Sequence, residues 1–330
     1  MRTRPNYGVT GRKVDASTTG LTNKVYSVSD RNSSQGGASN GYLRQTSFDY
    51  ILVAGGGGGG NSSSVAGNGT GGGGGAGGLL QGSMTEAPTN TTLNVSVGAG
   101  GGAATQGGNT SITGSGLTSI VSVGGGYGGS YGAVVNGGNG GSGGGGAGGG
   151  PNPPNNRGSG GLGIPGQGYN GSTVTAGNVG GSGGSFTAAG VMQTSTNFGK
   201  SPDGVLISPF NLTPIWVCGA GSPSFNGTNQ NVQLFLGGKG GGGNGASYGG
   251  NYLVPESGQP NTGGGGASGV ASMTGMSGGS GIAFIRVLIE NTTTKWITPT
   301  ATGANTFISN DGTGNTYAVF SFTSSGTLTL

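Results

Sequence analysis

Tyr50-Ile51-Leu52-Val53-Ala54 runs directly into six consecutive glycines, Gly55–Gly60, and this junction decides the fold of the chain. Glycine-rich tracts then recur as far as Gly281, where Ile282–Ile289 restores the composition of an ordinary strand. Of the 88 glycines in the 330 residues, 78 lie between residues 51 and 281. Any fold for this chain must therefore give a structural role to a segment in which about one residue in three is glycine.

Neither collagen nor a flexible linker accounts for the glycine pattern. Collagen requires glycine at every third position and abundant proline, whereas these glycines come in blocks broken by Ser, Ala and Asn, with only 13 prolines in the chain. Linkers are not interleaved with short β-branched runs such as Leu93-Asn94-Val95-Ser96-Val97. The pattern favours an ordered structure that needs residues without a β-carbon.

Polyglycine-II helices packed side by side would meet that need. Glycine adopts the extended helix with three residues per turn, and without side chains neighbouring helices can hydrogen-bond through their backbones. Ordering one glycine costs about 1–2 kcal/mol, whereas one hydrogen bond returns about 1 kcal/mol net, so a single helix is unstable and only a cooperative bundle can form. We expect a lattice of parallel and antiparallel polyglycine-II helices, with Gly71–Gly75 and Gly143–Gly150 at its centre.

The remaining regular structure is expected to be β-strand, because no segment has an apolar period of 3.6 residues. The predicted strands are 48–54, 92–97, 119–123, 205–207, 215–218, 232–236, 282–289 and 317–330. The fold class is thus all-β and irregular: antiparallel, sandwich-like strands flanking a bundle of polyglycine-II helices, with essentially no α-helix. Three regions are expected, a basic N-terminal arm (1–48), the glycine-rich body (49–289) and a C-terminal β segment that packs on the body (290–330).

Charge is concentrated at the N-terminus. Residues 1–50 contain seven basic and three acidic residues, and their net charge of +4 equals that of the whole chain. The body is neutral, which argues against nucleic-acid binding along it. For the arm the charge is compatible with nucleic-acid binding and equally with docking onto a larger protein assembly, for which Arg2, Arg4, Arg12 and Lys13 are the candidate residues. No apolar run is long enough for membrane insertion, and the N-terminus lacks the apolar core of a signal peptide.

Catalytic and cofactor chemistry find no support in the composition. The chain has no histidine, a single cysteine (Cys218) and eight widely spaced carboxylates, of which only Asp203 and Glu256 both lie in candidate loops of the body. Histidine-based metal sites and catalytic triads are excluded, and a glycosidase would need two carboxylates that meet in space. We expect no enzymatic activity, no cofactor and no metal.

Aromatic residues in the segments that interrupt the glycine tracts are the best candidates for recognition. These segments are 125–135, 152–170, 186–203, 222–231 and 245–261. Exposed aromatic side chains offer large contact areas and stack on sugars, although each could instead pack against the bundle or the strands. The candidate contact residues are Tyr127, Tyr131, Arg157, Tyr169, Phe186, Phe198, Phe225, Tyr248 and Tyr252.

The order and spacing of these tracts resemble the glycine-rich domains of bacteriophage tail fibres and receptor-binding adhesins. The resemblance rests on Ile51–Gly60, Gly71–Leu80, Leu93–Gly101, Gly166–Gly171 and Gly278–Arg286, and covers about residues 50–287. Two features depart from the pattern: Phe320–Thr327 resembles a strand that usually precedes the first glycine tract but here follows the last one, and residues 1–48 resemble no known segment.

The resemblance implies a virion protein made in the host cytoplasm, which binds a host-surface glycan or protein and, through residues 1–48, other virion proteins. Homotrimerisation is the usual architecture of such fibres, and a monomeric body is equally compatible with the sequence. Two further alternatives stay open: a purely structural virion part such as a shaft, decoration or adaptor, and an ice-binding or extracellular matrix protein.

Overall fold

A computed structural model describes residues 45–64, 69–88, 91–149, 157–194, 199–225, 235–247, 254–290 and 298–330. Residues 45–330 form one compact unit. The described residues are almost entirely extended, and their only helical element is a single 3-10 turn, Pro209–Asn211. The expected fold class, all-β with essentially no α-helix, is confirmed.

Ten strands are present in the described part of the chain: β1 (Gln45–Val53), β2 (Leu79–Pro88), β3 (Thr92–Ser96), β4 (Thr110–Gly114), β5 (Ile120–Ser122), β6 (Val205–Ile207), β7 (Ile215–Val217), β8 (Ile282–Glu290), β9 (Thr300–Asn310) and β10 (Thr316–Thr329). All of the strand predictions except 232–236 coincide with one of them. In that segment residues 232–234 lie outside the described residues, and Phe235 and Leu236 form isolated bridges.

Eight strands form one antiparallel, nearly closed, barrel-like sheet in the order β2-β1-β8-β10-β3-β4-β5, with β9 on the other edge of β10. The long strand β10 joins the two halves, because Tyr317–Phe322 pairs with β8 and Gly326–Thr329 pairs with β3. The sheet encloses a core of buried side chains that includes Phe48, Leu52, Ile285, Phe320 and Phe322. The C-terminal segment thus supplies a central strand of the sheet.

Strands β1 and β8 are buried on both faces. Leu52 and Ile285 point into the barrel core, whereas Ile51, Val53 and Phe284 belong to a second cluster with residues of the glycine-rich segments and the β6–β7 hairpin. Burial on both faces explains why these two strands are continuous apolar runs instead of alternating ones. Cys218 is fully buried in the second cluster, where burial raises the pKa of its thiol above the ordinary value.

Three strands, β2, β4 and β9, have no clear sequence signal. β9 reads Thr-Ala-Thr-Gly-Ala-Asn-Thr-Phe-Ile-Ser-Asn and is mostly exposed, and among the described residues it pairs with β10 alone. β2 is likewise polar after its first two leucines. Because these strands lie at edges or bury few side chains, their sequences are not constrained to alternate apolar and polar residues.

Segment 54–60 shows the three-residue repeat of a polyglycine-II helix. Every third N–H group donates to the same antiparallel neighbour: Gly57 and Gly60 to Gly75 and Gly72, Gly56 and Gly59 to Gly279 and Met276, and Gly55 and Gly58 to Gly108 and Thr105, all at 2.9–3.0 Å. Its carbonyl groups accept, with the same repeat, from three parallel neighbours, segments 101–104, 125–128 and 266–269. One glycine helix is therefore bonded to neighbours on all sides.

The same arrangement surrounds segments 70–78 and 142–148. In the second of these, Ser142, Gly145 and Gly148 donate to segment 70–76, Gly143 and Gly146 donate to Tyr169 and Ser172, and Gly144 and Ala147 donate to Gly138 and Val135. Gly71–Gly75 and the described part of Gly143–Gly150 are thus at the centre of the lattice, as expected. The predicted bundle of parallel and antiparallel polyglycine-II helices is confirmed.

Close packing explains why these positions must be glycine. A β-carbon added at Gly57 would overlap with the carbonyl oxygen of Gly126. One added at Gly74 would overlap with the carbonyl oxygen of Gly57, and one added at Gly144 with that of Tyr127. Each overlap involves backbone of an adjacent helix, which cannot move without disturbing its own hydrogen bonds. Side chains are excluded from the centre because backbone occupies the space that they would need.

The helices run alternately away from the sheet and back to it. Outward segments include 54–60, 98–102, 123–129, 142–148, 169–174, 218–225, 242–247 and 263–269, and returning segments include 70–78, 105–108, 135–141, 158–164, 179–185, 235–239, 254–259 and 276–281. Several of them continue directly into strands, as 54–60 does from β1 and 276–281 into β8. We call the end of the lattice next to the strands the proximal end and the opposite end the distal end.

Candidate functional site

The distal end is formed by chain reversals that are hydrogen-bonded to one another. Asn61 is central to it: its carbonyl accepts from the Tyr131 N–H (3.0 Å), its own N–H donates to Ser130 Oγ (3.0 Å), and its Oδ1 accepts from the Gly275 N–H (2.9 Å). Thr70 adds a bond from its N–H to the Asn178 carbonyl (3.1 Å). The turns at this end are therefore held by the lattice and by each other.

For each of the five loops expected to recognise a partner, one described glycine helix runs to the distal end and a later one runs back from it. In the loop 125–135 the turn between the two helices is fully described, and it exposes Val134 at 58 %. In the other four loops the residues between the two helices lie partly or wholly outside the described residues. The topology brings together loops that are more than 100 residues apart in sequence.

Tyr127 and Tyr131 are half-buried because their rings lie on glycine backbone. A β-carbon at Gly138 would be 2.5 Å from the Tyr127 ring, and one at Gly69 would be 2.5 Å from the Tyr131 ring. Arg157 donates from Nε to the Gly177 carbonyl at 3.2 Å, which links two distal turns. Tyr131 and Arg157 at the distal end, and Tyr127 midway along the helix 123–129, thus combine partly exposed surface with a structural contact.

Tyr169 and Phe186 lie near the proximal end, where they line the same open groove of about 680 Å³. Tyr169 is 51 % exposed. Phe186 is partly buried and packs against the second apolar cluster, as Val205 and Ile215 also do. The groove is completed by the Pro165-Gly166 turn and by Asn170 and Thr187, polar residues that no sequence signal singled out.

Phe225 departs from the expectation of an exposed contact residue. It is only 5 % exposed and packs with Val179 and Phe235 in a small cluster between glycine helices. For Phe225 the structure therefore agrees with the alternative given above, that an aromatic residue of a loop packs against the bundle. The candidates Phe198, Tyr248 and Tyr252, and the docking candidates Arg2, Arg4, Arg12 and Lys13, lie outside the described residues.

Asp203 and Glu256, the two carboxylates in candidate loops of the body, have separate structural partners. Asp203 accepts from Lys200 Nζ (2.7 Å) and from the Lys239 N–H (2.6 Å), and Glu256 accepts from Asn244 Nδ2 (2.8 Å). Partial burial raises the pKa of Asp203, but the bonds from Lys200 and Lys239 outweigh it, so the pKa is lowered overall. In the described part of the chain no three His, Cys, Asp or Glu residues are grouped as metal ligands. No described helix has the length and hydropathy of a membrane span either.

Comparison with known proteins gives one match. The family model of the glycine-rich domain matches residues 32–288, which is most of the chain and includes every helix of the lattice described above. No curated protein and no solved structure gives a significant match. On the extent of the family match, this chain belongs to the glycine-rich domain family.

Proposed function

We propose that this protein is a non-enzymatic bacteriophage virion protein, a fibre or adhesin, that presents loops from its glycine-helix lattice to a glycan or protein on the host surface. The observation that carries the proposal is that turns from distant parts of the chain, among them the Tyr131 turn, are hydrogen-bonded together at one end of a rigid scaffold. Recognition loops bind best when a rigid body positions them, because less conformational freedom is then lost on binding.

The resemblance of the tract order to phage tail fibres and adhesins supports the same function. Residues 1–48 would attach the protein to other virion proteins through the arm that carries Arg2, Arg4, Arg12 and Lys13. Changing these four residues to serine is expected to reduce incorporation into particles and to leave binding of the purified protein to cells unchanged.

Replacement of the distal turns tests the recognition role. The full-length protein, fluorescently labelled, would be applied to a panel of bacterial strains, and residues 131–134 would then be replaced by Ser-Gly-Ser-Ser, which keeps the glycine at position 132, where φ is positive. The replacement is expected to abolish or redirect binding, whereas the matched exposed substitution Leu206→Ser in β6, at the proximal end, is expected to leave it unchanged.

The remaining distal loops are replaced in the same way, singly and together, with circular dichroism as a check on folding. If cell binding survives replacement of all the distal turns, recognition does not depend on them. Unchanged phage adsorption together with a high copy number per particle would instead favour the purely structural virion component.

A further inference from the structure

The groove at the proximal end differs in chemistry from the distal turns. It lies between two successive reversals, 163–170 and 186–189, and has aromatic residues Tyr169 and Phe186 from both. None of the side chains that line it is charged. The groove is open to solvent, and it is within the size range of small-molecule sites.

Both aromatic residues are fixed at their backbones. The Tyr169 N–H donates to the Ser185 carbonyl (3.0 Å), and the Tyr169 carbonyl accepts from the Gly143 N–H (2.9 Å) at the centre of the lattice. The Phe186 N–H donates to the Cys218 carbonyl at 3.4 Å. The groove is therefore shaped before a ligand arrives, which reduces the entropy lost on binding.

Polar groups stand beside the rings in fixed orientations. Asn170 Oδ1 accepts from the Gly163 N–H (2.9 Å), which leaves both N–H bonds of its amide available to donate. Thr187 Oγ1 donates to the Asp203 carbonyl (2.6 Å) and lies 3.3 Å from Ser185 Oγ, so one lone pair of the Thr187 oxygen is left to accept from a ligand. Exposed aromatic carbon next to oriented amide and hydroxyl groups is suited to a ligand with an apolar face and a hydroxylated edge.

We propose that this groove binds a neutral saccharide, with one sugar ring stacked on Tyr169 and its hydroxyl groups bonded to Asn170 and Thr187. The uncharged lining argues against acidic sugars and charged peptides, whose charges would lose hydration without gaining a partner. The inference goes beyond the proposed function, on which it rests for its biological setting: it adds a second site, separate from the distal turns, and names neutral glycan as the ligand class of that site.

Saturation-transfer difference NMR on the full-length protein provides the test. The probes are glucose, galactose, mannose, N-acetylglucosamine and their common disaccharides, with glucuronic acid and N-acetylneuraminic acid as charged comparisons. At least one neutral sugar is expected to give saturation transfer, strongest at the ring protons that face Tyr169, and the acidic sugars are expected to give none.

Tyr169→Ala is expected to weaken that binding by about tenfold or more, the loss of about 1.4 kcal/mol in affinity. Tyr169→Phe is expected to retain most of it, and Phe307→Ala, a substitution of an exposed aromatic residue in β9 outside the groove, is expected to have no effect. Because Tyr169 is half-exposed, the variants should fold, and circular dichroism spectra are to be compared with that of the unaltered protein as the check on folding. A second variant, Ala189→Lys, fills part of the groove with a long side chain and should also weaken binding.

The inference is overturned if none of the neutral probes binds, if the acidic sugars bind equally well, or if Tyr169→Ala binds like the unaltered protein. These outcomes are separate from a failure of the proposed function. Loss of sugar binding with retained, turn-dependent binding to cells would remove only the groove, whereas sugar binding without any binding to cells would remove the host-recognition role.

Discussion

Glycine-to-alanine substitution at the lattice centre should destabilise the protein, although the same change is often stabilising elsewhere. In Gly57→Ala the new β-carbon would lie 2.5 Å from the carbonyl carbon of Gly126 and 2.7 Å from the Gly125 oxygen. Both distances are below 3.0 Å, which real β-carbons essentially never show. Helices 54–60 and 123–129 must therefore move apart.

The separation weakens the two bonds that join these helices, from the Gly125 N–H to Gly55 and from the Gly128 N–H to Gly58, each 2.9 Å long. Two hydrogen bonds at about 1 kcal/mol each and overpacking strain of about 1–3 kcal/mol give a loss of about 3–5 kcal/mol. The lower chain entropy of unfolded alanine offsets about 0.4–1 kcal/mol of this. We expect a net loss of about 2–5 kcal/mol.

Gly102→Ala is the matched control, because Gly102 also belongs to a glycine helix but is exposed. Its nearest neighbour to an added β-carbon is Thr105 Oγ1 at 3.6 Å, an ordinary contact, and its φ is not positive. The free energy of unfolding of the Gly102→Ala protein should stay equal or rise by about 0.4–1 kcal/mol. Thermal unfolding followed by circular dichroism should show Tm lower by roughly 4–15 °C for Gly57→Ala. Equal Tm values for the two variants would refute the close-packed lattice.

Three further predictions concern single side chains. Arg286 donates to Asp49 Oδ2 from Nε (2.9 Å) and Nη2 (2.5 Å), and its guanidinium lies 4.7 Å and 4.5 Å from the ring centres of Phe210 and Tyr317. Arg286→Met should therefore lower the free energy of unfolding, measured by denaturant titration, by about 1–3 kcal/mol. A loss no greater than that of the control Arg157→Met would contradict this role of Arg286. The pKa of Asp203 is lowered in the folded state. The contribution of Asp203 to stability is therefore present above the unfolded pKa and is lost as the pH falls through the folded pKa. Asp203→Asn should flatten the acid side of the stability–pH profile below about pH 4, and an unchanged profile would count against the Lys200 contact. Cys218 is fully buried and the pKa of its thiol is raised, so iodoacetamide should label it only at the rate of unfolding, and rapid labelling of the native protein would show that the second apolar cluster is open.

The candidate site was only partly accessible to sequence reasoning. Aromatic residues in the breaks between glycine tracts could be found, but Phe225 proved to be a packing residue and Tyr169 and Phe186 proved to share a groove. A phenylalanine in a loop has the same sequence signal whether it faces solvent or a gap between helices. Asn170 and Thr187 carry no signal at all, because Asn and Thr are abundant throughout the body.

The sequence by itself determined the local conformation. Blocks of glycine without proline or a collagen repeat indicate backbone-to-backbone packing, and the apolar runs Ile51–Ala54 and Ile282–Ile289 indicate strands. Only the tertiary structure decided which helix bonds to which, where the chain reverses and which loops share an end. The physical reason is that glycine has no side chain to specify a neighbour, so the partner of each helix is set by the whole lattice together with the strands that anchor it at the proximal end.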